Sequence, residues 1–308
     1  MRVVVLGSLM QDLVVRVSRL PLVGESLLGH EFAMFPGGKG GNAAIASARL
    51  GASVHMVGRV GQDAFGDQLV ETLMADGVNC SFVQRDPANG TGVAIPMVFD
   101  DGRNSIISVP RANLAMTASD AFAAREAVEN ADVLIVQFEV AMEATLAAMQ
   151  IARDAGVPVL LNAAPVTPYP PDALRMATYL VVNDIEAAAM VPGAHGDHAR
   201  EAAQLLSKGP RAVVVTLGEQ GAVLATQAGT AFIAPFTVET VDSVGAGDAF
   251  CAAFAFAMVS VSGAERDPLA AVKFANAAGA VAVTRPGAAP SLPRLAEVEA
   301  LLRSEPQD

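Results

Sequence analysis

The chain has 308 residues, of which 52% are hydrophobic and 17% charged, and its net charge is −12. This length allows one large or two ordinary domains, and this composition is typical of a chain that buries a large apolar core. The negative charge argues against a nucleic-acid partner, which needs a basic surface. It also means that an anionic ligand must be held by local groups.

Three features bear on the cellular compartment. The only cysteines, Cys80 and Cys251, do not suggest a disulfide framework, which fits a reducing environment. The start of the chain, MRVVVLGS, is typical of a first strand rather than of a signal peptide. The longest uncharged run, residues 249–264, is too short for a comfortable membrane span and predicts a buried helix. We therefore expect a soluble cytoplasmic protein without a membrane partner.

Apolar runs and amphipathic segments alternate along the chain. The apolar runs are rich in β-branched residues and continuous, which indicates strands covered on both faces of a parallel sheet. The predicted strands are 3–7, 53–58, 132–137, 158–164, 179–183 and 212–218. The predicted helices are 42–50, 67–76, 118–129, 142–154 and 199–208, and a short helix follows Pro293. This alternation predicts an α/β fold, a doubly wound and mostly parallel sheet with helices on both faces.

Two segments interrupt this alternation, residues 13–34 and 91–109. Both look like alternating strands around a turn, at PLVGE and DDGR respectively, which predicts two antiparallel hairpins. We expect them to form a small β-sheet lid above a core made of residues 1–12, 35–90 and 110–308.

The first glycine-rich stretch is FPGGKGGNAAIASARLG, residues 35–51. It is not a Walker A loop, because Lys39 is followed by glycine, and it lacks the third glycine of a dinucleotide fingerprint. A glycine cluster beside a lysine and the amide of Asn42 suits a polyhydroxyl ligand, because the backbone can approach the ligand closely. The alternative is a tight turn with a solvated lysine.

The second glycine-rich stretch is VDSVGAGDAF, residues 241–250, which precedes the long apolar run. Amide groups of Gly245, Ala246 and Gly247 at a helix N-terminus would attract phosphate. Asp248 beside them could accept the proton of a hydroxyl that attacks the phosphate. The alternative is an acid that only interacts favourably with the helix dipole.

With these two stretches, the chain resembles the ribokinase-like carbohydrate kinases, also called the phosphofructokinase B family. PGGKGGNAAIASARLG is similar to the family's N-terminal signature and VDSVGAGDAF to its C-terminal one. Segments such as GRVGQDAFGD, NAAPV, VVNDIEA and VTLGEQGA fall in the same order over nearly the whole chain. The Gly-Lys-Gly-Gly-Asn form and the segment TRPGAAPSLP are most similar to the ribokinase subfamily.

The resemblance implies ATP-dependent phosphorylation of a sugar's primary hydroxyl, with ribose as the expected sugar, Mg²⁺ as cofactor and K⁺ as an expected activator. It makes Asp248 the catalytic base and the amides of residues 245–247 the anion hole. The sugar-binding residues it implies are Asp12, Gly38, Lys39, Asn42 and Glu139. The nucleotide-binding residues are Asn183, Thr216, Gly218, Gly221, Gly247 and Asn276. Glu186 would act on magnesium through water. The monovalent-cation loop would contain Asp242, Val244, Ala282, Arg285, Gly287 and Ser291. We also expect a homodimer formed through the lid.

Two departures from the ribokinase pattern put the identity of the sugar in question. Met10 stands where ribokinases have an asparagine, so the site lacks a polar contact that could select among hydroxylated substrates. Arg111 stands where the family usually has glycine, and it could reach a charged or larger substrate or lie solvated at the surface. Alternative substrates are a nucleoside, fructose or a keto-deoxy sugar acid, and a non-catalytic sugar-binding regulator is a more remote alternative. His195 and His198 are predicted to be a solvated pair, because a structural zinc site needs about four ligands.

Overall fold

The computed structural model describes residues 1–100, 104–260 and 267–304. Its strands are β1 (Arg2–Leu6), β2 (Met10–Val17), β3 (Glu31–Gly37), β4 (Ser53–Gly61), β5 (Asn79–Asp86), β6 (Gly92–Phe99), β7 (Asn104–Val109), β8 (Val133–Gln137), β9 (Val159–Asn162), β10 (Tyr179–Asn183), β11 (Ala212–Thr216), β12 (Ala222–Thr226) and β13 (Gly229–Ile233). Its helices are α1 (Lys39–Arg49), α2 (Ala64–Ala75), α3 (Ala118–Ala123), α4 (Arg125–Glu129), α5 (Met142–Asp154), α6 (Pro171–Met176), α7 (Asp184–Met190), α8 (His198–Leu206), α9 (Ala246–Ser260), α10 (Pro268–Ala282), α11 (Ala288–Ser291) and α12 (Leu295–Ser304).

The main sheet has nine strands in the order β13-β12-β11-β10-β9-β8-β1-β4-β5. The strands from β11 to β5 pair in parallel, and β12 and β13 add an antiparallel edge. Alternate residues of β1 face opposite cores, with Val3 and Val5 in the core under α1, α9 and α10, and Val4 and Leu6 in the core under α5 and α8. Helices therefore cover both faces, and the predicted α/β fold is confirmed.

The second sheet has four strands in the order β3-β2-β6-β7. Two antiparallel hairpins, β2–β3 and β6–β7, are joined by a parallel pairing of β2 with β6. The two predicted hairpins thus exist and form one small sheet. The β2–β3 hairpin runs from Met10 to Gly37, and these two residues pair with each other at the same end of the sheet. The predicted turn at DDGR falls mostly on residues 101–103, which lie outside the described residues.

Local departures from the predicted elements have simple causes. The segment predicted as one helix over 118–129 is two helices, because Ala124 leaves the helical conformation (φ −96°, ψ 8°). The long apolar run forms α9 as far as Ser260, and its last residues, 261–264, lie outside the described residues. In the ranges 1–100, 104–260 and 267–304, no helix combines the length and the apolar character needed to cross a bilayer.

Candidate active site

The candidate site lies at the carboxyl ends of β1 and β8, which are neighbours in the main sheet. In the sheet, β4 lies on one side of β1 and β8 lies on the other. The chain therefore reverses the direction in which it adds strands at β1, and the crevice at such a point commonly binds ligands. Ser8 follows β1 and donates its hydroxyl hydrogen to Oε2 of Glu139, which follows β8. The backbone N–H of Lys39 donates to the same oxygen at 3.1 Å. Two predicted sugar-binding residues therefore meet here, and Ser8 joins them.

The glycines at the start of α1 allow this helix to begin directly against the turn between β1 and β2. Gly38 has φ +88° and caps α1, and a Cβ on it would lie 2.8 Å from the carbonyl oxygen of Ser8. A Cβ on Gly40 would lie 2.5 Å from the carbonyl carbon of Gly7. No side chain fits in either place, so the glycine-rich stretch is required for close packing of backbone on backbone.

Asp12 reaches the site from β2 of the small sheet. A Cβ on Gly37 would lie 2.4 Å from Oδ2 of Asp12, so Gly37, which the sequence analysis did not single out, makes room for this carboxylate. Burial, reinforced by the negative charges of Glu139, Asp248 and Asp242, raises the pKa of Asp12 to about 7. A carboxyl group held so close to neutrality can donate or accept hydrogen bonds with sugar hydroxyls.

Asp248 lies in the first turn of α9 and is only 8% exposed. Nδ2 of Asn42 donates to Oδ2 of Asp248 at 2.8 Å. The pKa of Asp248 is raised, mainly by its burial and in addition by the negative charge of Glu139. The positive charge of Lys39 and the hydrogen bond from Asn42 lower this pKa, but they do not cancel the effect of burial. A carboxylate with a raised pKa is a better proton acceptor than an ordinary aspartate.

Lys39 is half-buried beside these carboxylates. Burial lowers its pKa, but Asp248, Glu139 and Glu186 outweigh this effect, so that the net pKa of Lys39 is raised. The ammonium group therefore stays charged at neutral pH and places a fixed positive charge among the acids.

The start of α9 presents unpaired backbone donors. Gly245 has φ +83°, and the N–H groups of Gly247 and Asp248 form no hydrogen bond with any other described residue. The N–H of Ala246 donates to the carbonyl oxygen of Ser243 at 3.3 Å. A Cβ on Gly247 would meet nothing within 4 Å, so space lies open next to these donors. Such an arrangement suits an anionic group.

A cavity of about 810 Å³ opens from this helix start. Its walls contain the six predicted nucleotide-binding residues, Asn183, Thr216, Gly218, Gly221, Gly247 and Asn276. Phe236, Phe250 and Val283 supply apolar surface to the same cavity. A volume of this size, with apolar walls and a few polar groups, is typical of a site for a small molecule or a cofactor.

Comparison with known proteins identifies the family. The family described as pfkB family carbohydrate kinase matches residues 1–295. The chain belongs to this family. Its relatives include the ribokinase of Schizosaccharomyces pombe, 39% identical over 96% of both chains. Another relative is the deoxyribokinase of Salmonella typhi, 33% identical over 80% of this chain and 82% of that protein. Among solved structures, Arabidopsis thaliana ribokinase complexed with ribose and ATP has a TM-score of 0.87 and 32% identity, covering 98% of this chain and 99% of that chain.

In this pfkB protein, the predicted magnesium residue Glu186 forms a reciprocal cap of α7 with Asn183. Oδ1 of Asn183 accepts from the N–H of Glu186 at 2.7 Å, and Oε2 of Glu186 accepts from the N–H of Asn183 at 2.9 Å. Burial raises the pKa of Glu186, against the lowering effects of the bond from Asn183 and of Lys39. Its second oxygen takes part in no hydrogen bond with a described residue, so the carboxylate fits the role of a partner for a hydrated Mg²⁺.

The residues predicted for the monovalent-cation loop lie on two adjacent segments that Asp242 holds together. Its Oδ1 accepts from the N–H of Val244 at 3.0 Å and its Oδ2 accepts from the N–H of Gly287 at 2.9 Å.

Two other residues predicted for this loop have their side chains engaged elsewhere. The side chain of Arg285 pairs with Glu297, and the hydroxyl of Ser291 donates to the carbonyl oxygen of Ala288. Ala282 ends α10. Within the described part of the chain, no three His, Cys, Asp or Glu side chains cluster as a metal site would need, so a cation here would depend on backbone carbonyl oxygens.

The two residues that depart from the ribokinase pattern, Met10 and Arg111, each form a hydrogen bond within the protein. Met10 is buried at the start of β2, and its sulfur accepts a hydrogen bond from the hydroxyl of Ser108 at 3.5 Å. Arg111 donates from Nη1 to the carbonyl oxygen of Thr91 at 3.0 Å, where the chain enters the small sheet. Nδ1 of His198 lies 2.9 Å from Oε2 of Glu201, which is three positions further along α8.

Proposed function

We propose that the protein is an ATP-dependent kinase that phosphorylates the primary hydroxyl of a pentose, with ribose as the first candidate. The observation that carries this proposal is the position of Asp248, buried, held by Asn42 and adjacent to free helix N–H groups at the edge of the large cavity. Relatives named ribokinase, and the solved relative that holds ribose and ATP, support it.

In the proposed reaction, the primary hydroxyl oxygen attacks the γ-phosphorus of ATP. A new O–P bond forms, the bond from that phosphorus to the bridging oxygen of ADP breaks, and the hydroxyl proton passes to the Asp248 carboxylate. The N–H groups of Gly247 and Asp248 stabilise the charge that develops on the phosphoryl oxygens. Lys39 adds a fixed positive charge close by. Positioning and charge stabilisation carry most of the rate in such transfers.

The sugar is proposed to bind between the start of α1 and the small sheet. Asp12 and Glu139 would accept hydrogen bonds from hydroxyl pairs, and Gly38 allows the backbone to approach the ring. Oδ1 of Asn42 is buried without a hydrogen-bond partner, which leaves an acceptor for a sugar hydroxyl. A buried acceptor without a partner costs free energy, and a bound hydroxyl would remove this cost.

Two cations are part of the proposal. Glu186 would hold a hydrated Mg²⁺ beside the nucleotide phosphates, where the ion neutralises their charge when bound. Backbone carbonyls around Asp242 and Gly287 would hold K⁺, since the two segments are already tied together by the Asp242 carboxylate.

We further propose that the protein is cytoplasmic and forms a homodimer through the small sheet. Both cysteines are free thiols, which suits a reducing compartment. The small sheet exposes Phe32, Met34, Ile106 and Ile107, with exposures of 62%, 45%, 53% and 52%. Phe32 and Met34 lie two positions apart on the edge strand β3 and therefore face the same side of the sheet, and exposed apolar side chains that share a face are typical of an interaction surface.

A second candidate substrate is a deoxypentose. Met10 places a thioether next to Asp12, where ribokinases have an amide, and a relative named deoxyribokinase is 33% identical. A site without this polar partner discriminates less against a sugar that lacks the matching hydroxyl.

A coupled assay of ADP formation would test the proposal on ribose, 2-deoxyribose, fructose, ribonucleosides and a keto-deoxy sugar acid. We expect rapid turnover of ribose, of 2-deoxyribose or of both. Preference for a nucleoside or fructose would overturn the pentose assignment. Tight sugar binding without ADP formation on any substrate would instead support a non-catalytic regulator.

A further inference from the structure

A second cavity, of about 640 Å³, lies at the edge of the main sheet opposite to Asp248. Residues at or just before the starts of several parallel strands line it, among them Arg2 before Val3, Pro158 before β9 and Arg211 before β11. It shares no lining residue with the nucleotide cavity. The two cavities are therefore separate sites at opposite ends of the strands.

Arginines dominate the charge of this second cavity. Arg2, Arg153, Arg175 and Arg211 all line it. Arg175 is paired with Asp172 at 2.9 Å, whereas the guanidinium groups of the other three form no ion pair or hydrogen bond with any described residue. Most arginines of the described chain do have such a partner, and three of those without one lie together in this cavity, where they are exposed to solvent, in a protein whose net charge is −12.

Two carboxylates, Glu129 and Asp132, line the cavity against four arginines, so that an excess of positive charge remains. Glu129 is paired with Arg125 at 3.1 Å, and Oδ2 of Asp132 accepts from the backbone N–H of Arg2 at 2.6 Å. Arg153 lies in the last turn of α5, where the helix carbonyls attract a cation. Arg2 and Arg211 lie at strand starts rather than in the last turn of a helix, and their guanidinium groups pair with no described residue. Their positive charge is therefore available to a ligand.

We propose that this cavity binds a small polyanion that carries two or more phosphate or carboxylate groups. Its volume is that of a small-molecule site. The planar guanidinium forks match both anion types with paired hydrogen bonds. A polymeric partner is disfavoured, because the rest of the protein is acidic and would repel it.

The test uses inorganic tripolyphosphate and citrate as probes in titration calorimetry, with the double variant Arg153→Glu/Arg211→Glu. The matched control is Arg200→Glu/Arg303→Glu, which makes the same charge change on α8 and α12. We expect the cavity variant to lose at least about tenfold in affinity for one or both probes while the control keeps it, and both variants to retain ADP binding and turnover. Arg153→Gln/Arg211→Gln serves the same test if the charge reversal prevents folding.

Three results would overturn the proposal. They are equal loss of affinity in both variants, unchanged affinity in the cavity variant, or complete competition by ADP, which would place the probe in the nucleotide cavity. The stronger of the two probes identifies whether phosphate or carboxylate is the preferred group.

A different observation concerns Arg111, which among the described residues is the one non-glycine residue with a positive φ, +48°. A residue with a side chain keeps such a backbone conformation only where its surroundings enforce it. A Cβ on Gly90 would lie 1.7 Å from Nη2 of Arg111, so the guanidinium occupies the space that Gly90 leaves free. The backbone N–H of Ala112 donates to the carbonyl oxygen of Gly90 at 3.1 Å.

The β6–β7 hairpin is connected to the core by residues 90–91 on one side and by residues 111–112 on the other. The contacts of Arg111 and Ala112 with Gly90 hold these two connections together. Asp63 strengthens the junction, because its carboxylate accepts from the N–H and the hydroxyl of Thr91 at 2.8 Å and 2.6 Å. From Gly92 onward, β6 pairs with β2, which carries Asp12. A fixed start of β6 therefore fixes Asp12 over the sugar site.

We infer that Arg111 is a positioning residue that holds the small sheet, and with it Asp12, in place over the sugar. This inference rests on the proposed function. In Arg111→Gly, the clamp is removed while the new residue tolerates the positive φ, so the variant should remain folded. We expect the KM for the sugar to rise about fivefold or more, because about one charge-assisted hydrogen bond is lost. The kcat and the KM for ATP should change little.

Amide hydrogen exchange in β6 gives a readout that does not depend on activity. We expect amide exchange in β6 to be faster in Arg111→Gly than in the wild type. In Arg111→Lys we expect it to be slower than in Arg111→Gly. Unchanged exchange together with an unchanged KM would overturn the clamp. Failure of the wild type to phosphorylate any sugar would instead contradict the proposed function, and the exchange data would still decide on the clamp.

Discussion

Asn42 and Asp248, 206 positions apart in the chain, are joined by a hydrogen bond from Nδ2 to Oδ2 of 2.8 Å. The bond connects the first turn of α1 with the first turn of α9. It holds one oxygen of the carboxylate, and the other oxygen forms no hydrogen bond with a described residue. The buried Oδ1 of Asn42 remains without a partner on the same side chain. The glycine-rich start of one helix thus orients the proposed base on another.

Replacement of Asn42 by alanine should change both the rate and its pH dependence. The Asn42 bond lowers the pKa of Asp248, so its removal should shift the acid limb of the kcat profile to higher pH. Loss of orientation should reduce the plateau by up to about 10²-fold. A variant whose rate falls while the acid limb stays in place would show that Asn42 has only a packing role.

Asp12 predicts a dependence of stability on pH. Its pKa is about 7 in the folded protein and about 3.9 in an unfolded chain. Between these values the unfolded state has lost the proton that the folded state still holds, so the free energy of unfolding falls as pH rises from 4 to 7. The total is on the order of 4 kcal/mol.

Asp12→Asn cannot ionise, so its stability advantage over the wild type should be larger at pH 8 than at pH 5, by on the order of 3 kcal/mol. Urea unfolding of the sugar-free proteins at both pH values measures this difference. Asp172→Asn, at an exposed carboxylate, is the control and should show no such trend. Equal stability differences at the two pH values would show that Asp12 is ionised like an ordinary surface acid.

Met10 should control the choice between ribose and 2-deoxyribose. Met10→Asn restores an amide beside Asp12, so the ratio of kcat/KM for ribose to that for 2-deoxyribose should rise about tenfold. Met10→Leu keeps an apolar side chain and should leave the ratio unchanged. If both variants shift the ratio equally, packing rather than hydrogen bonding sets the preference.

Asp242 should matter for the response to potassium. Asparagine has one carbonyl oxygen, so Asp242→Asn can satisfy the N–H of Val244 or of Gly287 but not both. We expect a loss of about 1.5–3 kcal/mol in stability and a higher K⁺ concentration for half-maximal activity. Glu297→Gln, which changes the partner of Arg285 but leaves Asp242 intact, is the control. An unchanged response to K⁺ in Asp242→Asn would exclude this loop as the cation site.

The buried strands of the main sheet were predictable from sequence because each is a continuous apolar run. Strands β5, β12 and β13, which lie toward the two edges of the sheet, were not predicted. Strand β5, NCSFVQRD, mixes exposed and half-buried residues and lacks the apolar run of a central strand. The break at Ala124 was also missed, because no glycine or proline marks it.

Parts of the site were visible in the sequence as motifs, and other parts were not. The two glycine-rich stretches indicated where a ligand approaches the backbone, and the family resemblance gave roles to their residues. Ser8 has no such signal, because its contact with Glu139 spans 131 positions and arises only when β1 and β8 become neighbours. Arg111 has none either, since arginine ordinarily disfavours the conformation it adopts there.

The role of Asp248 is tested most directly by Asp248→Asn, with sugar and nucleotide binding measured by calorimetry and turnover by ADP formation. Asparagine has nearly the same shape but cannot accept the hydroxyl proton. We expect both ligands to bind with little change and turnover to fall by about 10²–10⁴-fold. Wild-type turnover in this variant would show that another group removes the proton and that the site operates differently from the mechanism proposed above.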